Sequence, residues 1–188
     1  MRLFFAVTLP EEIIAQVSDI QLKLRKSIGD EGVKWTRPEQ FHYTLRFLGE
    51  QPAHRAHVAV EAAQAVAADC EEFDFSLSGI GAFPNIQRPS TLWIGASAGV
   101  EPLTNLANTL EWRLQRAGFH KEKQAFNAHL TISRIKGYAG EIAAVRTLRT
   151  AEVGELGTVR LDRFVLMQSA LKPTGSEYTV VEEFRLKG

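Results

Sequence analysis

Apolar and polar residues follow two different periods along the chain, and the period of each segment predicts its secondary structure. Residues 73–79 alternate between apolar and polar side chains, which predicts a half-buried strand. Residues 11–28 instead carry apolar side chains at helical spacing, with Pro10 before the segment and Gly29 after it. Proline suits the start of a helix and glycine its end, so this segment is predicted to form the first helix.

By the same reasoning, the whole chain alternates between strands and helices. Strands are predicted at residues 2–8, 33–35, 41–48, 73–79, 91–96, 126–133, 159–171 and 178–186. Helices are predicted at residues 11–28, 53–69, 103–118 and 140–150, the last with Ile142, Val145 and Leu148 facing inward. A turn at Pro173-Thr174-Gly175 is predicted to join the last two strands.

One short motif occurs twice. The sequence His-Tyr-Thr-Leu begins at His42, and His-Leu-Thr-Ile begins at His129. Both copies lie in predicted strands, where residues i and i+2 face the same side. Each copy therefore places an imidazole beside a hydroxyl, with Thr44 next to the first histidine and Thr131 next to the second. By the same rule, Phe47 falls on the face opposite the first histidine.

The elements around the two motifs also repeat in order: strand, helix, motif strand, helix, strand. We therefore infer an internal duplication, in which residues 1–188 form a single domain made of two pseudo-symmetric lobes with one motif each. Antiparallel sheets with outer helices are the expected layers, so the predicted fold class is α+β. Because the His-x-Thr motif occurs twice, the fold is expected to bring the two copies together.

Composition and charge narrow the class of protein. The 188 residues are 45% hydrophobic, and Lys+Arg and Asp+Glu balance at 22 each, so no overall basic charge demands a long nucleic-acid partner. The single cysteine, Cys70, excludes an internal disulfide and suits the cytoplasm, which is the expected location. No apolar run approaches the roughly 18 residues of a membrane span, so no membrane association is expected. No obligate protein partner is evident.

The two motifs do not have the spacing of a metal site. Neither strand supplies an Asp, a Glu or a second His at metal spacing, and threonine is a poor zinc ligand. His54 and His57 are three residues apart on a predicted helix and would make half a metal site, but no partner for them is evident. A serine nucleophile is not indicated either, because no Gly-x-Ser-x-Gly turn occurs. No metal and no cofactor are therefore predicted.

Acid–base chemistry fits the doubled motif better. An unperturbed imidazole has a pKa near 6.5, so one histidine can be neutral while the other is protonated. Two histidines facing across a cleft suit an in-line displacement, in which one takes a proton from water and the other gives a proton to the leaving oxygen. The threonines can donate hydrogen bonds to the oxygens of an anionic transition state. A phosphodiester meets this description, and a strained cyclic phosphate would need no metal.

The two motifs resemble the paired His-x-Thr signatures of the 2H phosphoesterase superfamily. Their flanks are similar to those of the bacterial and archaeal RNA 2′,3′-cyclic phosphodiesterases, which were first named 2′-5′ RNA ligases. The similar flanks are Arg2–Val7 with Leu9-Pro10, Val33–Trp35, Phe47–Glu50, Gly81–Pro84, Trp93–Gly95 and Ala128–Arg134. The resemblance covers nearly the whole chain.

This resemblance implies a bilobal fold with the active site in the cleft between the lobes. It also implies metal-independent hydrolysis of an RNA or nucleoside 2′,3′-cyclic phosphate to the 2′-phosphomonoester. By position in the motifs, His42 would be the general acid that protonates the 3′ oxygen, and His129 the general base for water. Thr44 and Thr131 would hold the phosphoryl oxygens. The reverse reaction, with a 5′-hydroxyl in place of water, would make a 2′-5′ linkage without ATP.

Two arginines are candidates for binding the phosphate. The family often carries an arginine three residues after the second threonine, where this chain has Arg134. Strict alternation would turn Arg134 away from His129, so the strand must end or twist by Ser133, or the side chain must reach round from the rim. Arg46 lies on the face of His42 by the same rule. The sequence does not choose between the two arginines.

The aromatic residues and the substrate leave further alternatives open. Five aromatic residues are expected mainly in the core, with one or two stacking a base: Phe5, Trp35, Phe47, Phe83 and Trp93. The expected partners are RNA ends or nucleotides that carry a 2′,3′-cyclic phosphate. The alternatives are a phosphodiesterase for a small cyclic nucleotide such as ADP-ribose 1″,2″-cyclic phosphate, biological 2′-5′ ligation, and a non-catalytic module that binds a nucleotide or RNA end.

Overall fold

The computed structural model describes residues 1–173 and 175–188. The strands are β1 (Arg2–Thr8), β2 (Val33–Trp35), β3 (His42–Glu50), β4 (Phe73–Phe83), β5 (Thr91–Ala96), β6 (Leu130–Ile135), β7 (Gly157–Leu161), β8 (Arg163–Lys172) and β9 (Gly175–Arg185). The helices are α1 (Glu11–Ile28), α2 (Ala53–Asp69), α3 (Val100–Arg116) and α4 (Tyr138–Leu148). None of these helices is both long and apolar enough to cross a membrane.

The strands form an antiparallel sheet that divides into two lobes. Their order is β7-β4-β5-β6-β3-β1-β8-β9, and β2 pairs with the free side of β6. The two motif strands, β3 and β6, meet in the middle, and in the described residues the pair Tyr43 and Leu130 alone joins them. Each lobe thus contains one motif strand, which confirms the predicted α+β fold with two lobes.

The two lobes exchange strands instead of following one another along the chain. Strand β4 comes directly after α2, yet it pairs with β5 and β7 in the lobe of the second motif. Strands β8 and β9 return to the first lobe beside β1. The prediction of one strand over residues 159–171 is therefore wrong. Asp162 separates β7 from β8, and these two strands belong to different lobes.

The helices bury apolar faces against the sheet. On α3, Leu103 and Leu110 are fully buried, as the helical spacing predicted. On α1, the buried Gln21 donates hydrogen bonds to the carbonyl oxygens of Thr36 (2.7 Å) and Ile132 (2.8 Å), so the helix is fixed directly to the second motif strand. A polar side chain in the core is tolerated there because both bonds are made.

Helix α4 presents a different face from the predicted one. Leu148 is buried, but Ile142 is 51% exposed, so the prediction that it faces inward is wrong. Gly140 and Ala144 face the core instead. A Cβ atom on Gly140 would lie 2.7 Å from the Val33 side chain, so the helix approaches the sheet closely through its small residues.

Two strand boundaries also differ from the predicted ones. Strand β6 begins at Leu130, so His129 lies just before it and residues 126–129 are not in the strand. Strand β4 runs on to Phe83, which shortens the predicted loop. Lys172 pairs with Gly175 across the last hairpin, and Thr174 of the predicted turn lies outside the described residues.

Candidate active site

A cavity of about 450 Å³ opens where the two motif strands meet. Five of the six predicted site residues line it: His42, Thr44, His129, Thr131 and Arg134. The remaining lining residues are Lys34, Trp35, Thr36, Arg37, Gln40, Phe47, Lys136, Gly175, Ser176 and Tyr178. The fold therefore brings both His-x-Thr pairs to one cavity between the lobes.

Both histidines are oriented by the same backbone contact. The Nδ1 atom of His42 lies 2.7 Å from the carbonyl oxygen of Gln40, and the Nδ1 atom of His129 lies 2.8 Å from that of Asn127. A carbonyl oxygen only accepts hydrogen bonds, so each Nδ1 must carry the proton. This leaves Nε2 as the nitrogen of each ring that can exchange a proton with a substrate.

The ring of His42 is held between the motif threonine and two aromatic side chains. Its Nε2 atom lies 3.0 Å from the Thr44 hydroxyl oxygen, which donates to the neutral ring. The Phe4 ring lies 5.1 Å from the imidazole, and the Tyr178 ring meets it edge-on at 5.4 Å between centroids. Phe4 belongs to a small apolar cluster with Met167 on the cavity face of the first lobe. This packing leaves His42 few alternative rotamers.

The ring of His129 has a matching pair of aromatic neighbours from the second lobe. Phe83, at the end of β4, meets it edge-on with 4.8 Å between centroids, and Trp93 of β5 lies 6.4 Å away. Gly81 lets the tryptophan lie close to the sheet, because a Cβ atom there would be 2.2 Å from the indole ring. Each catalytic candidate is thus packed between two aromatic rings of its own lobe.

The cavity favours the neutral form of both imidazoles. Burial lowers the pKa of His42 below its ordinary value of 6.5, and the nearby His129 and Arg134 lower it further, against the raising effect of the Gln40 carbonyl. Burial and then Arg134 likewise lower the pKa of His129, opposed by the carbonyl of Asn127. An anion bound between the two rings would counteract the positive charges that lower the pKa values of both histidines.

A β-bulge in each motif strand changes which side chains reach the cavity. Along β1 and β3, Phe5 pairs with Arg46 and Ala6 with Thr44, so Leu45 is an extra residue. Along β5 and β6, the pairing likewise skips Ile132. An extra residue reverses the alternation of faces beyond it.

The bulges turn the fifth residue after each histidine towards the cavity. These residues are Phe47 in the first motif strand and Arg134 in the second, and both line the cavity. The prediction that Phe47 lies opposite His42 is wrong, since Phe47 lines the cavity and is 51% exposed. The twist by Ser133 that Arg134 required is supplied by the bulge at Ile132.

The bulge also removes Arg46 from the site, so the prediction that it faces the phosphate is wrong. Its side chain is 8% exposed and points away from the cavity. The guanidinium forms ion pairs with Glu111 of α3 and, at 3.3 Å, with Glu122. It also donates to the carbonyl oxygen of His120. Arg46 therefore ties the first motif strand to the segment that leads into His129.

Sequence reasoning missed part of the basic rim. Lys34 and Lys136 line the cavity beside Arg134, and Arg37 lies near them. Lys34 reaches the site because β2 pairs with β6, where it stands directly opposite Arg134. The signal that could have found Lys136 is its place two positions after Arg134 in the sequence, just past the end of β6 at Ile135. Among the described residues, no cluster of three His, Cys, Asp or Glu side chains could hold a metal ion.

Two lobes that each present a His-x-Thr pair to one cavity define the class of the 2H phosphoesterases. The comparisons identify the family within that class. A model described as LigT like Phosphoesterase matches the chain twice, over residues 7–93 and 94–178. The chain therefore belongs to the LigT-like phosphoesterase family, and it is an enzyme of that class.

Similar proteins extend over most of the chain. The RNA 2′,3′-cyclic phosphodiesterase of Aquifex aeolicus is 37% identical over 158 residues, which cover 82% of each protein. The protein of the same name from Archaeoglobus fulgidus is 36% identical over 184 residues, 98% of this chain and 99% of the relative.

Solved structures share the fold over their full length. The crystal structure of the Thermus thermophilus protein TT0787 superposes with a TM-score of 0.81 at 31% identity, covering 100% of this chain and 99% of the other. The complex of E. coli LigT with 3′-AMP has a TM-score of 0.79, 23% identity and coverage of 100% and 98%, which shows a shared fold.

Proposed function

We propose that this protein hydrolyses the 2′,3′-cyclic phosphate at an RNA end, or on a nucleoside, to the 2′-phosphomonoester. The observation that carries the proposal is the pair of imidazoles that line one cavity with Nδ1 of each held by a backbone carbonyl oxygen, His42 from one lobe and His129 from the other. The relatives from Aquifex aeolicus and Archaeoglobus fulgidus, both named RNA 2′,3′-cyclic phosphodiesterase, support the substrate class. We propose the cytoplasm as the compartment.

The reaction requires one proton to be removed and one to be added. Nε2 of His129, in its neutral form, accepts a proton from water as the water oxygen attacks phosphorus. The bond between phosphorus and the 3′ oxygen breaks, and Nε2 of protonated His42 gives its proton to that oxygen. One water is added across one P–O bond, and the product is a 2′-phosphate with a free 3′-hydroxyl. The two histidines return to their starting forms by proton exchange with solvent.

The remaining cavity residues stabilise the charge of the transition state. The hydroxyls of Thr44 and Thr131 donate hydrogen bonds to the two non-bridging phosphoryl oxygens, and Arg134 supplies a positive charge on the same side. Ring strain in the cyclic phosphate lowers the barrier, so the proposed mechanism uses no metal and no cofactor. His42 becomes easier to protonate once the anionic substrate lies beside it.

The identity of the product tests the proposal. An RNA oligonucleotide with a terminal 2′,3′-cyclic phosphate is incubated with the protein, and the end group is identified by phosphorus NMR. We expect the 2′-phosphate alone, because His42 protonates only the 3′ oxygen. A 3′-phosphate would contradict the assigned roles of the histidines, and an unchanged cyclic phosphate would contradict the proposed reaction.

A further inference from the structure

A second cavity, of about 500 Å³, adjoins the first one along strand β6. Lys136 lines both cavities and so marks the point where they meet. The second cavity is also lined by Asn85 and Arg88 from the loop after β4, and by Tyr138 at the start of α4. Nothing in the proposed reaction uses this second cavity.

Positive charge continues from the first cavity into the second. Lys136 follows the last residue of β6, two positions after Arg134, and two residues of extended chain span at most about 7 Å, close to the distance between successive phosphates of an extended RNA strand. Arg88 lines the second cavity together with Lys136. In the described part of the chain, no carboxylate lies within 4.0 Å of these three side chains, although Glu141 lies on the wall of the second cavity.

The positive charges exceed what the reacting group requires. A cyclic phosphodiester carries one negative charge, yet the first cavity alone is lined by Lys34, Arg134 and Lys136. Lys34 stands directly opposite Arg134 in the β2–β6 ladder, and like charges in that arrangement destabilise a sheet. A second phosphate next to the reacting one would balance this charge.

The second cavity also offers a surface for a base. Tyr138 is 79% exposed, although large aromatic side chains are usually buried. An exposed ring beside basic side chains is the arrangement with which proteins bind single-stranded RNA, because the base stacks on the ring and the cations hold the backbone.

The walls of the cavity are held in place before any ligand binds. The Asn85 side chain accepts hydrogen bonds from the backbone N–H groups of Gln87 (3.1 Å) and Arg88 (3.0 Å). The N–H of Ile135 donates to the carbonyl oxygen of Ser90 at 2.9 Å, which fixes the loop to β6. Preorganised walls reduce the entropy lost on binding.

We propose that the second cavity binds the nucleotide on the 5′ side of the RNA terminus. Lys136 and Arg88 hold the phosphate that links it to the terminal nucleotide, and its base stacks on Tyr138. The enzyme thereby distinguishes the end of an RNA strand from a free cyclic nucleotide. This inference rests on the proposed function, because it places the reacting phosphate between the two histidines.

Two substrates and two variants test the inference. The substrates are a nucleoside 2′,3′-cyclic phosphate and a trinucleotide RNA with the same terminal group. For the trinucleotide, Arg88→Gln and Tyr138→Ala should each lower kcat/KM about 5- to 10-fold, mainly through KM, as expected for one lost charged hydrogen bond or one lost stack. The mononucleotide kcat/KM should stay unchanged, which also verifies folding. Tyr138→Phe should retain the stack and the wild-type value.

The matched control is Arg146→Gln. Arg146 is exposed on α4, the helix of Tyr138, but it does not line the second cavity. This variant should leave both substrates unaffected. The dependence of KM on salt adds a separate measure: for the trinucleotide, Arg88→Gln should reduce the slope of log KM against log salt concentration by about 0.7, the value for one phosphate contact on a single strand. An unchanged slope would count against a phosphate at Arg88.

The outcome separates this inference from the proposed function. Equal losses on both substrates, or no loss on either, would overturn the second binding site while leaving the reaction intact. If the wild type hydrolyses neither substrate, the proposed reaction fails. The second binding site is then tested by measuring the binding of a trinucleotide that ends in a 2′-phosphate. Weaker binding by Arg88→Gln and Tyr138→Ala would then support the site for the RNA strand, and unchanged binding would overturn it.

Discussion

His42 and His129 each direct Nδ1 at the carbonyl oxygen two residues earlier in the chain, so both present Nε2 to the same cavity. The repeated contact fixes the tautomer of each ring without help from another side chain. Because the two rings are oriented in the same way, only the charges around them can determine which one acts as the acid and which as the base. The proposed assignment of acid and base therefore needs tests that treat the two residues separately.

The pH dependence of kcat/KM should be bell-shaped with its maximum below pH 6.5. Activity requires one imidazole protonated and the other neutral, so the maximum falls midway between the two pKa values of the free enzyme. Burial lowers the pKa of both His42 and His129 below 6.5. Initial rates across about pH 4.5 to 8.5 would reveal the profile, since these limits span the range in which imidazoles titrate. A monotonic profile, or a maximum above about pH 7, would contradict this account.

Replacing Arg134 by glutamine should have two linked effects. The loss of its positive charge should lower kcat/KM about 10- to 100-fold, the scale of a charge-assisted contact to the phosphate. Arg134 also lowers the pKa of both histidines, so the pH profile of Arg134→Gln should move towards higher pH. A lower rate with an unmoved profile would contradict the effect of Arg134 on the pKa values of the two imidazoles in the free enzyme.

For each motif threonine, the contribution of the hydroxyl can be measured separately from that of the methyl group. Thr44→Val and Thr131→Val remove a hydroxyl at nearly constant volume, and each should lower kcat about 10- to 100-fold because a hydrogen bond to a charged oxygen is lost. Thr44→Ser and Thr131→Ser serve as controls and should remain within a few-fold of the wild type. If the serine variants were as impaired as the valine variants, packing and not hydrogen bonding would explain the threonines.

The role of general acid can be tested through the leaving group. In a nucleoside 2′,3′-cyclic phosphate with sulfur in place of the 3′ oxygen, the leaving group is a thiolate, which needs no proton. His42→Ala should therefore be far less impaired on the sulfur compound than on the normal substrate. His129→Ala should be equally impaired on both. The opposite pattern would reverse the assignment of acid and base.

Arg46 should matter for stability and not for substrate binding. Arg46→Met leaves the carboxylate of Glu111 without its partner in a partly buried position, and the cost is about 3 kcal/mol of unfolding free energy. Urea denaturation measures this. Arg25→Met is the control, because its ion pair with Asp30 is exposed and should contribute little to stability. A stable Arg46→Met protein with impaired KM would contradict this account and indicate that Arg46 contacts the substrate.

This stability difference should itself depend on pH. Burial raises the pKa of Glu111, but hydrogen bonds from the Glu122 backbone N–H and from Arg46 outweigh it and hold the pKa below its ordinary 4.5. A lowered folded-state pKa stabilises the protein above pH 4.5, and this contribution disappears as the pH falls through the folded-state value. The gap between the wild type and Arg46→Met should therefore narrow below pH 4.5.

Local patterns in the sequence were enough to predict the helices and the doubled motif. The helix predicted at residues 53–69 has those bounds in the structure, and the spacing of His42 from Thr44 on one strand face is found as expected. These features depend on neighbours in the chain, so periodicity reveals them. The exchange of strands between the lobes depends on distant pairings, which no local pattern contains.

The errors at the site have one physical cause. Alternation predicted that Arg46 would face the cavity and Phe47 the core, but the extra residue Leu45 in β3 reverses both. A bulge is defined by the partner strand, which the sequence of one strand does not contain. The same limit hid Lys34, whose place beside Arg134 follows from the pairing of β2 with β6.

The central claim is that two histidines hydrolyse a cyclic phosphate without a metal. It is tested most directly by kcat/KM for a nucleoside 2′,3′-cyclic phosphate in excess EDTA, for the wild type, His42→Ala and His129→Ala. We predict full wild-type activity and a loss of roughly 10²- to 10⁴-fold in each variant, with unchanged thermal unfolding. Loss of wild-type activity in EDTA, or near-normal rates in either folded variant, would contradict the claim.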